Sequence, residues 1–437
     1  MPVAKERLTD MPEWFDGKKI NEVIFCRSFL ESHPMKCIQG SFFTVDGLVD
    51  DEESLKMEIY DRIKDYTCCG IAKKATQLLD ALRLSCYSPP LPVQLDRIHV
   101  ANGTYYLDGR FTEEKEYCMN RLKVRYDPHA AVPEKWISFV NDLLTETDVL
   151  TLQEYMGYCL IPTNKAQKML LILGKGGEGK SRVGLVLRSI LGDSMNTSSI
   201  QKVETNRFAR ADLEYKLLMV DDDMKMVALP QTSNIKTIVT LEDKMDIERK
   251  GQQSIQRPLY VRFLCFGNGS LSALYDRSYG FYRRQIILTT KERDPSRRDD
   301  RFLAEKLKAE SEGIFLWCLE GLRRLIQNNY EFTISDAAKS NLEEAISDSN
   351  NIPRFLESEG YFRFKADGQI TSKELYALYE LWCDENSGKA VSPKSFGNYM
   401  CQNEKQLSLE RSNNVRNRDG RRVWGFWGME PVVKLYV

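Results

Sequence analysis

Residues 168–187 read KMLLILGKGGEGKSRVGLVL, and their types and order suit a phosphate cradle. An apolar run, Met169 to Leu173, meets Gly174-Lys175-Gly176-Gly177-Glu178-Gly179. Lys180 and Ser181 follow, then a segment with Val183, Leu185, Val186, Leu187 and Ile190 apolar. Strand, G-x-x-x-x-G-K-[ST] and helix in that order form a P-loop. Gly174, Gly176, Gly177 and Gly179 let backbone N–H groups turn onto phosphate oxygens with no Cβ in the way. Glu178 falls inside the same loop, and the new helix adds the positive end of its dipole. Lys180 supplies a point charge to the outer phosphates, and Ser181 a hydroxyl for Mg2+, which prefers hard oxygen ligands. The pattern predicts binding and hydrolysis of a nucleoside triphosphate.

Three further segments carry side chains suited to that chemistry. Lys216-Leu217-Leu218-Met219-Val220-Asp221-Asp222-Asp223 is an apolar strand delivering carboxylates to its C-terminal edge. Asp221 is expected to hold Mg2+ and Asp222 to polarise the attacking water. Val261 to Asn268 is an apolar strand ending in Gly267-Asn268, so Asn268 can reach the outer phosphate or the lytic water, although Gly-Asn after a strand is also an ordinary turn. In Asp276-Arg277-Ser278-Tyr279-Gly280-Phe281-Tyr282-Arg283-Arg284-Gln285, the pair Arg283 and Arg284 precedes an apolar strand. One of them, by preference Arg284, can offer a guanidinium to a phosphate in a neighbouring subunit. Paired arginines equally serve as solvated surface or ion pairs.

The elements that must position these groups follow from periodicity. Ala72 to Leu84 carries apolar residues at helical spacing, Ile98 to Gly109 reads as a hairpin around Asn102-Gly103, and helices are expected from Pro133 and over Val149 to Cys159. Residues 168 to about 290 alternate strand and helix, as an α/β nucleotide-binding core does. Residues 300–346 read as helical, Asp348 to Pro353 as a linker, and the rest as a small α+β domain with helices over Leu375–Trp382 and Phe396–Met400 and a final strand Val423–Trp427. A length of 437 residues fits two or three domains, and a net charge of −1 confines any nucleic-acid contact to local basic patches. Eleven scattered cysteines, an odd count without framework spacing, suit free thiols in a reducing cytoplasm. The isolated His33, His99 and His129 speak against structural zinc. No apolar run suits a membrane span or a signal peptide.

The order GKGGEGKS, LLMVDDD, LCFGN, GFYRRQIIL resembles superfamily 3 (SF3) helicases, and more closely the D5-like replication proteins of phages, plasmids and mobile genetic elements. The flanks, NGTYYLDG, VRYDPHAAVPEKW and LQEYMGYCLIPTNKAQKMLLILG before the loop, and LYALYELWCDENSGKAVSPKSFGNYM and RRVWGFWG after it, extend the likeness. The resemblance implies a multidomain α/β protein: a P-loop AAA+ core over 166–346, a mixed or helical D5-type region over 101–165, and a winged helix over 353–437. Residues 1–100 match nothing in that family. It further implies an ATP- and Mg2+-dependent DNA helicase in a bacterial host cytoplasm, assembled as a ring, expectedly a hexamer, with single-stranded and duplex DNA and a primase or other replication protein as partners. The alternatives are an AAA+ loader or remodeller, or an origin-binding initiator, without unwinding activity.

By the same resemblance, a hairpin between Asp222 and Asn268 lines the pore and grips DNA, with Lys250-Gly251-Gln252 as its tip, Arg249 and Lys250 basic there, and Lys244 a further DNA-binding residue. Residues 411–422, RSNNVRNRDGRR, take the place of the wing, with Arg416, Arg418, Arg421 and Arg422 against the DNA backbone and Lys389 nearby. Trp424 and Trp427 alternate with Phe426 on the last strand, so one face of that strand reads as core rather than as a base-stacking platform.

Overall fold

A computed structural model describes residues 11–67, 69–224, 229, 231–251, 253–268, 279–293, 300–349, 351–386 and 390–433. Gln252, Asp276, Arg277 and Lys389 lie outside them. The protein is mixed α/β. Its described residues form two compact units, one within Met1–Ser270 and Arg283–Lys339, the other within Leu271–Tyr282 and Ser340–Val437.

The first unit opens with α1 (Glu22–Ser32), β1 (Lys36–Ile38), β2 (Ser41–Thr44), β3 (Gly47–Leu48), α2 (Glu52–Ile63), α3 (Ile71–Ser85) and β4 (Tyr87–Ser88). Asn21 and Asp51 start the first two helices by accepting the N–H groups of Val23 and Ile24, and of Glu53 and Ser54. The helical spacing of α3 buries Ala75, Leu78, Leu79 and Leu82, which pack with Phe25, Phe29, Ile59 and Ile63 in a core of their own. The strands order β3-β2-β1-β4, with β4 parallel to β1.

Next come β5 (Arg97–Val100), β6 (Gly103–Tyr106) and β7 (Phe111–Thr112), an antiparallel meander that includes the expected hairpin at Asn102-Gly103. They lead to α4 (Glu134–Leu143) and α5 (Glu146–Tyr158). The central part holds β8 (Met169–Leu173), α6 (Ser181–Leu191), β9 (Met195–Thr197), α7 (Ile200–Thr205), β10 (Leu218–Asp221), α8 (Ser233–Val239), a ribbon of β11 (Met245–Ile247) and β12 (Ile255–Arg257), and β13 (Arg262–Gly267). After α9 (Tyr279–Tyr282), which belongs to the second unit, β14 (Gln285–Thr289), α10 (Leu303–Lys308) and α11 (Ser311–Gln327) complete the first. Five strands make one sheet in the order β14-β8-β13-β10-β9, and every pairing in it is parallel. Burial is complete along β10 and β13, as a parallel sheet covered on both faces requires. Its core is continuous with that of residues 98–161: Ile98, Trp136, Tyr155, Leu170, Val186 and Leu322 belong to one cluster.

α5 is buried on nearly every side and crosses α11 through two glycines. A Cβ on Gly157 would lie 2.4 Å from the Cys318 carbonyl oxygen, and one on Gly321 would lie 2.3 Å from that of Gln153. The buried Glu154 carboxylate beside the crossing takes Arg324 Nε at 2.5 Å and both Thr333 N and Oγ1 at 2.7 Å, which satisfies a charge that would otherwise be costly to bury.

The second unit continues through α12 (Asp336–Ser349), which runs into it from the first, α13 (Ile352–Glu357), β15 (Phe362–Thr371), α14 (Ser372–Glu385), α15 (Pro393–Gln402), β16 (Glu410–Arg416) and β17 (Arg422–Pro431). Its sheet orders β15-β17-β16 and is antiparallel. The linker expected over Asp348–Pro353 is corrected here. Helix reaches Ser349 and resumes at Ile352, because Pro353 sits in the first turn of α13, where a missing N–H costs nothing. Thr371 and Glu374 close a capping box on α14. The ten described cysteines are all free, eight of them buried. Among the described residues no helix is long and apolar enough to cross a membrane.

Gly→Ala inside a helix ordinarily stabilises by about 1 kcal/mol, and Gly397→Ala in α15, with nothing within 4 Å, should show that gain in denaturant unfolding. Gly321→Ala should instead lose about 1–3 kcal/mol, because two backbones must separate. His99, in β5, is 6% exposed with Nε2 at 2.6 Å from Gln94 Oε1. Burial, helped by the Arg121 charge, lowers its pKa to about 4. The unfolded chain takes up this proton near pH 6.5 and the folded one does not. Stability present above pH 6.5 is therefore lost as pH falls towards 4, by on the order of 3 kcal/mol. Unfolding of His99→Gln across that range should lack this component.

Candidate functional site

Because the five strands of the main sheet run in parallel, their C-terminal ends open on one edge, where ligands of such sheets bind. β8 delivers the loop Gly174–Lys180 there. β13, its neighbour, delivers Asn268; β10, beyond it, delivers Asp221 and Asp222; β14, on the other side, delivers Thr290. The sheet thus gathers at one edge the groups that the sequence scatters over more than a hundred positions.

The loop's backbone takes left-handed φ at Gly176 (+106°), Gly177 (+85°) and Gly179 (+101°), conformations open to glycine. Gly179 also packs against the α4 side chain Phe139, 3.3 Å from where a Cβ would be. Ser181 opens α6 directly after the loop. Within the loop, the Glu178 carboxylate accepts Gly176 N–H at 2.8 and 3.0 Å and the Lys180 ammonium at 2.9 Å. Both side chains are buried, Glu178 at 5% and Lys180 at 8% exposure. Burial works to raise the Glu178 carboxyl, and the Lys180 ammonium with the loop's backbone N–H groups outweighs it, leaving it below its ordinary value. A carboxylate held by a backbone N–H and a lysine beside a helix N-terminus is an anion in an anion cradle. Asn268 Oδ1 lies 3.5 Å from Lys180 Nζ, so the strand-end amide does reach the loop.

Asp221 is buried and its Oδ2 accepts Ile200 N–H at 2.8 Å, at the start of α7. Burial raises its pKa, against that N–H and in concert with the Asp222 and Asp223 charges. Asp222 is exposed. One acid is fixed by the fold and its neighbour is open to solvent.

The sequence reading missed the segment after β14. Thr290 Oγ1 lies 2.4 Å from where a Cβ on Gly174 would stand, Lys175 pairs with Glu292 at 2.5 Å, and Arg293 donates to the Gly177 carbonyl at 3.3 Å. Their signal was the apolar run of β14 itself, since whatever follows a strand parallel to β8 emerges beside the loop. Arg283 and Arg284 behave oppositely. They precede β14, whose first residue pairs with Met169 at the start of β8. They therefore stand at the far edge of the sheet, on the order of 15 Å from the loop of their own chain. There Lys168 donates to the Arg283 carbonyl, and burial, then the Arg283 and Arg284 charges, lower the Lys168 pKa.

In the β11–β12 ribbon, Lys244 and Lys250 are exposed, whereas Arg249 and Arg257 both pair with Glu214, which is 5% exposed. In the second unit, Arg416, Arg418, Arg421 and Arg422 are exposed around the β16–β17 turn, and Arg418 lies 3.6 Å from Glu374.

Known proteins match in two ways. The sequence pattern of a family of unknown function (DUF5906) matches residues 172–284, a stretch holding most of the loop edge and ending at Arg284. The fold is similar to that of the NrS-1 C-terminal region. An A-form apo structure of its residues 305–718 aligns at TM-score 0.54 and 12% identity over 93% of this chain and 98% of that one. A second apo structure of the same region aligns at 0.54 and 13% over 94% and 100%. At such identity the likeness is one of fold. No curated protein matches the chain.

Removing the Glu178 charge should free the cradle. Glu178→Gln should bind inorganic tripolyphosphate at least several-fold more tightly than the wild-type chain, because the incoming anion no longer displaces a carboxylate. Calorimetric titration measures this, and equal affinities would show that Glu178 does not compete for the cradle.

Proposed function

We propose that the chain is a P-loop ATPase of the AAA+ type that assembles into a ring and unwinds DNA during replication of a phage or mobile genetic element. The observation that carries this reading is the anion held between Gly176 N–H and Lys180 at the strand-end edge that also bears Asp221, Asp222 and Asn268. The Glu178 carboxylate stands where a phosphate oxygen of ATP would sit. Ser181 and Asp221 supply the oxygen donors that suit Mg2+, which when bound would neutralise charge on the outer phosphates.

Each side chain then has a task. Lys180 and the loop N–H groups hold the phosphates. Asp222, exposed at the edge, accepts the proton of the attacking water. Asn268 orients that water or the outer phosphate. Thr290 and Arg293 brace the loop. The placement of Arg283 and Arg284 supports action in trans. They lie too far from their own loop, yet gather with Lys168 in a basic cluster that suits a triphosphate held by a neighbouring subunit. A ring supplies that neighbour and puts the ribbons, with Lys250 in the turn and Lys244 just before β11, around single-stranded DNA. In the second unit, the order helix, strand, two helices and a two-stranded hairpin fits a winged helix, with Arg416, Arg418, Arg421 and Arg422 along a duplex backbone.

The test measures ATP turnover and strand displacement on forked DNA. Lys180→Ala should lose turnover by at least 100-fold while its circular dichroism stays that of wild type. Arg284→Ala should bind ATP and turn over poorly, and mixing the two variants should restore part of the rate, since an intact cradle then faces an intact arginine. Wild-type turnover in Lys180→Ala would overturn the nucleotide assignment. Turnover without strand displacement would favour a loader or remodeller.

A further inference from the structure

The hairpin of β16 and β17 carries a feature that phosphate contacts do not explain. Its turn is tightly built: Asn417 N donates to Arg421 O at 3.0 Å, Asn417 Oδ1 accepts Arg421 N at 2.9 Å, and Gly420 takes φ +75°. The hairpin carries five arginines, Arg411, Arg416, Arg418, Arg421 and Arg422, against the acids Glu410 and Asp419 of its own and Glu374 of α14, which lies 3.6 Å from Arg418. Trp424 lies two residues into β17 and is 54% exposed. The expectation that this strand's aromatic face is core holds for Phe426, which is 2% exposed within the unit's core, and fails for Trp424. The two share a side of the strand by alternation, and Trp424 lies past the end of the core, towards the turn. The Arg411 guanidinium stands 4.6 Å from the centre of its ring.

An indole left in water against Arg411, on a hairpin that carries four further arginines, is poorly suited to an apolar protein partner, since docking one there would bury arginine charge with it. It is equally idle against a duplex backbone, which arginines bind unaided. What it can do is stack on a base with an open π-face, and the arginine beside it adds a second layer to that stack. Bases with open faces occur in single strands and where a strand leaves a duplex.

We propose that the β16–β17 hairpin reads the junction between single-stranded and duplex DNA, with Trp424 stacking on the first unpaired base while Arg416, Arg421 and Arg422 hold the neighbouring phosphates. This rests on the reading of the second unit as DNA-binding and sharpens it, from a contact with duplex backbone to recognition of an unpaired base.

The experiment uses the full chain without nucleotide and three DNAs: a fork with 2-aminopurine at the first unpaired position, a single strand, and a blunt duplex. Wild type should quench the 2-aminopurine and prefer the fork. Trp424→Ala should lose the quenching and weaken fork binding on the order of tenfold, with duplex affinity changed less than twofold. Trp424→Phe should keep most of both. The double variant Arg421→Ala, Arg422→Ala should weaken binding to all three DNAs and lower the salt dependence. Unchanged fork affinity and quenching in Trp424→Ala would overturn the stacking proposal while leaving the arginine contacts standing, as would an equal loss on fork and duplex. A double arginine variant that binds every DNA like wild type would remove the DNA reading of the unit and the proposal with it. Circular dichroism of each variant separates these outcomes from misfolding.

Discussion

The parallel direction of five strands is the constraint on which the site depends. β9, β10, β13, β8 and β14 all point one way, so every segment that follows a strand emerges on one edge and every segment that precedes one emerges on the other. A reversal of β13 alone would carry Asn268 away from Lys180. The same rule separates Thr290 and Arg293, which follow β14, from Arg283 and Arg284, which precede it. Six to ten residues along the chain thus become two opposite edges of a sheet.

Charge at the loop edge is balanced within the loop. Lys180 is almost wholly buried, and an ammonium there without a counter-charge would be costly. Glu178 supplies the counter-charge, and Gly176 N–H completes its bonding. The arrangement holds the lysine in place, and any anion that enters must compete with Glu178. At the far edge Lys168 lies near Arg283 and Arg284, whose charges add to burial in lowering its pKa. One edge carries its own anion and the other gathers cations.

Helix packing holds the edge in place. α5 passes under the sheet so closely to α11 that only glycines fit at 157 and 321, and Tyr155 of α5 donates to the Phe263 carbonyl of β13 at 2.6 Å. α4 reaches the loop itself through Phe139 and Gly179. Residues 98–161 are therefore part of the structure that shapes the loop, sharing its core.

The sequence by itself determined the loop, the strand and helix that flank it, the acids after β10 and the basic hairpin near the C-terminus. Each of these is a local pattern, a fixed spacing or a period, that the chain must express wherever the segment lies. It also placed Asn268 at a strand end without being able to say that the strand lies beside β8. Only the tertiary structure decided that adjacency, the pairing of Arg249 with Glu214 beside an exposed Lys250, the nearness of Thr290 and Arg293 to the loop, and the distance of Arg283 and Arg284 from it. Those depend on strand order and direction, which no spacing encodes. Trp424 shows the limit most simply. Alternation put it on the side of Phe426, and whether that side is core or solvent at its position depends on where the packed helices of the unit end.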